Sequence, residues 1–280
     1  MACKALGFLA ILAITGAGAC NGHVERNVEK SRKRLDIAKD CLSKNDLECA
    51  EGESSKAIAL NPNNDEAYWV RGSISIVRAS ETKKMMEVEG CLTGVDAEAT
   101  AKDLDMFLDK ADQDFERATK VSADYGDAWS SRGVAANLKG DYTNATTFLT
   151  KALENPMRLQ NPALTRAHLG WSLFHQQKMV EAAKELRTAI QFQPKMCVAT
   201  YRLARVYFAR EEWENAADGF QSASDDPACG LQEASYYLMK TRMQQGLVSE
   251  AKTARAACLK LATKSCIASQ CRADGGSLGP

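Results

Sequence analysis

The chain has 280 residues, and its 36 basic and 36 acidic side chains cancel to a formal net charge of zero, so no field of one sign draws in nucleic acid or an anionic lipid surface. Six prolines and 7% aromatics stand in a background rich in Ala, Leu, Lys and Glu, side chains that lose little rotamer freedom in a helix. The composition predicts an all-α protein whose partner is held by shape and local contacts.

Met1 to Lys4 form a short positive start, and Ala5 to Ile14 form an apolar stretch too short to span a bilayer. Residues 1–19 therefore read as an export signal. Gly16, Ala17, Gly18 and Ala19 lead directly into Cys20, and two readings of that junction stand. The small-x-small pattern Ala17-Gly18-Ala19 fits an ordinary signal peptidase cut, which would leave a soluble periplasmic or secreted chain. The same residues resemble the bacterial lipobox, with Ala17 where Leu, Val or Ile is usual, and then the Cys20 thiol carries lipid. On that second reading several buried acyl chains hold the protein at a membrane surface, with residues 20–30 as a spacer.

The cysteine count supports export. Of ten cysteines, Cys3 leaves with the signal and Cys20 is the lipidation candidate; the even number left suits disulfides in an oxidising compartment. No C-x-x-C occurs, and only His23, His168 and His175 could assist a metal. No metal or other cofactor is expected.

From residue 31 onward small residues and prolines recur with a period of about 34. The first unit, 31–64, carries Ala38, Ala50, Ala57 and Pro62. In the third, Trp129 and Gly133 precede Ala145 and Ala152; in the fourth, 163–196, come Leu169, Gly170, Ala182, Leu186, Ala189 and Pro194. The fifth has Leu203, Ala204, Tyr207, Ala216, Phe220 and Ala223, and the sixth, from about 232, has Leu238, Ala251 and Cys258. Gly140-Asp141-Tyr142 and Gly246-Leu247-Val248 supply tight turns, because glycine tolerates backbone angles that other residues resist. Unit two is interrupted: Gly72 to Ala111 spans 39 positions where Gly133 to Ala145 spans 12. The excess lies at about 80–105, around Lys83, Lys84, Met85, Met86, Gly90, Cys91 and Gly94. It either lengthens the helices or forms a loop, and is either a functional protrusion or a tolerated insertion.

These residues resemble the tetratricopeptide pattern over 31–263, and six units share one phase. The resemblance implies a superhelical solenoid of about six helical hairpins, in which the small eighth residue of each first helix meets the alanine at position twenty of the second. It also implies that positions two, five, nine, twelve and thirteen of the first helices face a concave groove. Those positions hold Trp69; Trp171, Phe174 and His175; Tyr201, Arg205 and Phe208; and Tyr236 and Met243. Large rings give much contact area for little entropy, so the groove is expected to accept an apolar or amphipathic segment of a protein partner, or else several of these rings serve as core. Only Arg205 and Lys240 are cationic among the inward positions, too few for the clamp by which some members hold a C-terminal carboxylate.

Cys41 and Cys49 sit on opposite helices of the first hairpin, close enough to bridge. Cys197 begins unit five and Cys229 precedes unit six, a second candidate bridge; Cys258 pairs with Cys266 or Cys271 in a third. Cys91 has no clear partner, and some of these residues alternatively remain buried thiols. Bridging an end repeat protects an array where it frays. His168 and His175 lie seven apart on one helix without a supporting constellation, so no catalytic role and no small-molecule substrate are expected. The tail is assigned to 264–280, and Ala273 to Pro280 lacks periodicity and is expected to be mobile.

An export signal, a candidate lipid-bearing cysteine, a spacer and six such units together resemble the pilotin lipoproteins of type IV pili, a family that includes the social-gliding-motility lipoprotein of myxobacteria. Met196-Cys197-Val198-Ala199-Thr200-Tyr201 adds to the myxobacterial likeness. The resemblance implies a lipid-anchored, non-enzymatic protein on the periplasmic face of the outer membrane, assisting the pilus secretin to reach that membrane and multimerise. The alternative is a structural envelope lipoprotein linking cell-wall enzymes or outer-membrane assembly factors.

Overall fold

A computed structural model describes residues 16–89 and 97–279. Residues 1–15 of the export segment 1–19, Cys91 and the centre of the unit-two insertion lie outside the described residues, as do the side chains of Cys20 and His23. The described chain is helical throughout: α1 (Gly16–Ser43), α2 (Leu47–Leu60), α3 (Asp65–Glu89), α4 (Ala97–Val121), α5 (Gly126–Leu138), α6 (Tyr142–Glu154), α7 (Pro162–His175), α8 (Met179–Phe192), α9 (Cys197–Ala209), α10 (Trp213–Asp225), α11 (Gln232–Gln244), α12 (Val248–Leu261) and α13 (Cys266–Asp274). The first twelve pair as six consecutive hairpins, and each hairpin packs on the next. This is the tetratricopeptide solenoid expected from the period. Helix α1 begins well before residue 31, so the spacer 20–30 is continuous with the first repeat helix.

Local sequence sets the helix ends. Asp46, Asp141 and Asn161 cap α2, α6 and α7 by accepting backbone N–H groups of Cys49, Asn144 and Leu164 at 3.1, 3.1 and 2.9 Å, which satisfies donors that the first helical turn leaves free. Between the helices of five hairpins one residue takes a positive φ: Asn45, Gly140, Gln177, Glu211 and Gly246, at 59°, 77°, 62°, 59° and 75°. Two of these positions are glycine, as the turns Gly140-Asp141 and Gly246-Leu247 predict.

The seam inside each hairpin is built from size complementarity. A Cβ on Gly133 would stand 2.5 Å from Leu149 Cγ, and one on Gly170 would stand 2.6 Å from Leu186 Cγ. The glycine therefore makes room for a large residue four positions beyond the second-helix alanine, and its contact with Ala145 and Ala182 is through their carbonyl oxygens. Phe115, Leu149, Leu186 and Phe220 occupy that place in units two to five and are fully buried. Each contributes roughly 1.5–3 kcal/mol by leaving water.

Unit two departs from the others because the insertion continues its helices. Helices α3 and α4 have 25 residues each, against 13 or 14 in units three to six. The added turns are packed: Ala79, Thr82 and Leu108 are buried, and the Arg78 guanidinium lies 6.0 Å from the Phe107 ring centroid. The far end of α3 reaches α13, where Cys266 Sγ lies 4.0 Å from the Met86 carbonyl oxygen.

Over its described residues the stretch expected to be mobile, Ala273 to Pro280, is instead ordered against the last hairpin. Helix α13 and a 3-10 turn over Gly275–Leu278 pack against α11 and α12, burying Ala268 and Cys271. Ser265 caps α13 through Ala268 N–H at 3.0 Å and donates to Gln232 Oε1 at 2.5 Å, while Gln232 Nε2 donates to the Cys258 and Ala262 carbonyls at 2.6 and 2.9 Å. A short capping helix has too few turns to show a period, yet it covers the last hairpin. Disulfides join Cys41 to Cys49, Cys197 to Cys229 and Cys258 to Cys271, with Cα separations of 5.8, 5.7 and 6.6 Å. Of the two choices for Cys258 the structure takes Cys271, and Cys266 is disulfide-bonded as well.

Candidate partner-binding groove

The direction of curvature follows from which helices touch. Each first helix meets the first helix of the next unit, α3 with α5, α5 with α7, α7 with α9 and α9 with α11, whereas the second helices approach one another less. The wall therefore bends with its first helices on the inside, where the inward positions were expected.

Along that inner wall runs a strip of rings. His175 stacks on Tyr142 with centroids 4.1 Å apart and planes 3° from parallel, and presents its edge to Trp171 at 4.5 Å. Trp171 stacks on Phe174 at 5.2 Å. The Arg205 guanidinium lies 5.6 Å from both of those rings and 3.9 Å from the centroid of Tyr237, and its Nη1 donates to the Tyr201 hydroxyl at 3.0 Å. Tyr237 continues to Phe208 at 5.4 Å. Trp171, Phe174, His175, Tyr201, Arg205 and Phe208 are thus brought together on α7 and α9, all half-buried. Each cation–ring contact adds roughly 0.5–2 kcal/mol depending on its hydration, so the strip is held together by contacts of its own.

The other expected positions are placed differently. Trp69 donates to Ser131 Oγ at 3.0 Å and packs against Tyr125, at the junction of α3 and α5. Tyr236 is 7% exposed and donates its hydroxyl to Asp274 Oδ2 at 2.6 Å; it is the seat on which the C-terminal segment rests. Burial and that carboxylate push its pKa up. Met243 is half-buried beside the core of units five and six.

Beside the strip lies a cavity of about 450 Å³, lined among others by Lys83, Asn137, Lys139, His168, Trp171 and Arg202. Arg202 donates through Nη1 to the Ala167 carbonyl at 3.0 Å and lies 3.3 Å from His168 Nδ1. Burial, then the charge of Arg202, holds the His168 pKa down to about 3. The imidazole is neutral at pH 7. Burial also lowers Arg202, to about 10, so it remains a cation there. Tyr142, Tyr237, Arg202 and Lys83 fall outside the inward positions of the repeat: Tyr142 opens a second helix, Arg202 and Tyr237 each neighbour an inward residue, and Lys83 belongs to the insertion. The sequence places Lys83 in the insertion, but its nearness to α7 and α9 depends on how far α3 extends.

The tetratricopeptide-repeat family profile matches residues 107–158, the later part of the second helix of unit two and the whole of unit three. No curated protein matches the chain. Among solved structures, the chain is similar to PilW, described as a widely conserved type IV pilus biogenesis factor, with TM-score 0.64 and 17% identity over 82% of this chain and 92% of that one. It is similar to PilF of Pseudomonas aeruginosa, with TM-score 0.65 and 12% identity over 89% and 99% of the two chains. A third likeness is to YrrB, described as a TPR protein with an unusual peptide-binding site, with TM-score 0.51 and 15% identity over 79% and 97%. At these identities the likeness establishes the fold.

Proposed function

We propose that this chain is an exported scaffold, tethered to the periplasmic face of the outer membrane by lipid on Cys20, which captures a segment of the type IV pilus secretin and assists its assembly without a chemical step. The observation that carries this reading is the preformed strip Tyr142–His175–Trp171–Phe174–Arg205–Tyr237 on the inner wall. Rigid rings around an arginine are the composition of interface hot spots, where a few desolvated anchors dominate the binding energy. The likeness of fold to a pilus biogenesis factor over most of both chains supports the choice of partner. Tethering raises the local concentration of scaffold where the secretin must insert.

Replacing Trp171 and Tyr201 together by Ala is expected to reduce secretin oligomers by about tenfold at unchanged levels of this protein, measured on immunoblots of unheated envelope extracts. Undiminished oligomers would count against the groove. For the anchor, Cys20→Ser is expected to move the protein from the membrane fraction to the soluble periplasm; a variant that still sediments with outer membrane removes the lipid from the proposal.

A further inference from the structure

Most buried or half-buried arginines in this fold are matched by a carboxylate. Arg71 pairs with Asp114, Arg132 with Asp112 and Glu116, Arg158 with Asp65, and Arg166 with Glu185. Arg242 and Arg255 in unit six are not, and neither are two arginines on the inner wall. The contacts of Arg202 are a backbone carbonyl, the neutral His168 ring and the face of Trp171, and those of Arg205 are a tyrosine hydroxyl and four rings. Among the described residues no carboxylate stands within ion-pair distance of either. The cavity beside Arg202 receives a further cation, Lys83, from the lengthened α3, and no carboxylate is paired with it among the described residues. Lys139 also faces this cavity, but Asp109 neutralises it at 2.6 Å. In a chain with no net charge, the groove therefore keeps a local excess of positive charge beside an apolar strip.

A charge taken part-way out of water without a counter-ion is costly, and a ligand that brings the opposite charge into hydrogen-bonding distance recovers that cost. The shape narrows the ligand. A cavity of about 450 Å³ is much larger than one carboxylate, and Trp171 forms one of its walls, so an acid seated there arrives on a longer body whose apolar part covers the ring. We propose that the cavity between α3, α5, α7 and α9 receives an Asp or Glu side chain from within the partner's segment, with that residue's apolar neighbours lying on Trp171 and Phe174. This rests on the groove being a protein-binding surface and adds the charge of its ligand. It also gives the insertion a use: Lys83 reaches the groove because α3 is long.

The test uses the mature chain with its disulfides intact and two fluorescein-labelled, C-terminally amidated dodecapeptides. One alternates Leu and Phe with Asp and Glu; the other carries Asn and Gln in place of the acids. By fluorescence anisotropy the acidic peptide is expected to bind about tenfold more tightly or better, an advantage that shrinks as salt rises from about 50 to about 500 mM. Arg202→Gln should lower the affinity for the acidic peptide about tenfold and narrow its advantage over the amide peptide, with an unchanged far-ultraviolet circular dichroism spectrum and melting midpoint reporting that the variant is folded. Lys83 is exposed, so Lys83→Gln tests the same charge without disturbing the core, and about a threefold loss confined to the acidic peptide is expected. Equal binding of the two peptides overturns the proposal, as does an acidic preference that survives Lys83→Gln and Arg202→Gln together. Neither peptide contains secretin sequence, so failure here leaves the secretin reading standing, and a failed secretin assay leaves the peptide preference standing.

Discussion

At the residue scale the hairpin turns carry a strain that can be measured. The left-handed backbone at Gln177 and Glu211 brings Cβ too close to the following carbonyl, at a cost of about 1–2 kcal/mol for a residue other than Gly. Both side chains are exposed, and the equivalent residues in units three and six are Gly140 and Gly246. Gln177→Gly and Glu211→Gly are each expected to stabilise the protein by about 0.5–1 kcal/mol after the extra entropy of a glycine in the unfolded chain is subtracted. Urea titration followed by circular dichroism measures this; an unchanged or lowered midpoint would mean that these turns relax at no cost. The same scale shows what a single sequence conceals. Gly133 and Gly170 announce close packing, but only the fold shows that they make room for Leu149 and Leu186. Arg202 lies at an unremarked repeat position, and its lack of a carboxylate is a property of the space around it.

At the element scale the helices of units one and three to six were legible because small residues at fixed offsets recur in one phase, and the same offsets locate the inner wall. What was not legible shares one cause: a period identifies units that repeat, and unit two and the C-terminal segment do not repeat. Leu104, Phe107, Leu108 and Ala111 do follow helical spacing, a signal for the longer α4 that the break in phase obscured. For α13 the signal was chemical: Ser265 as a cap, with Cys271 one helix away from Cys258. Ending the chain after Thr263 removes α13 and the Cys258–Cys271 bridge and uncovers Tyr236. Loss of a native disulfide alone costs about 2–5 kcal/mol. Since repeats communicate through their neighbours, the truncated chain is expected to melt first at units five and six. Hydrogen exchange read by mass spectrometry should find protection lost in α11 and α12 while α5 to α8 keep theirs; uniform loss would mean that the array folds as one block.

At the scale of the whole molecule, the contact between α3 and α13 matters beyond stability. A solenoid free at both ends is a spring, its pitch and curvature changing as small rotations between neighbouring units accumulate. Here the second unit touches the last helix, so the coil from residue 65 onward is a hoop, and stretching it means breaking a clasp rather than flexing a series of joints. Contact between the two ends limits those rotations, so less of the ordering cost of association falls on the array.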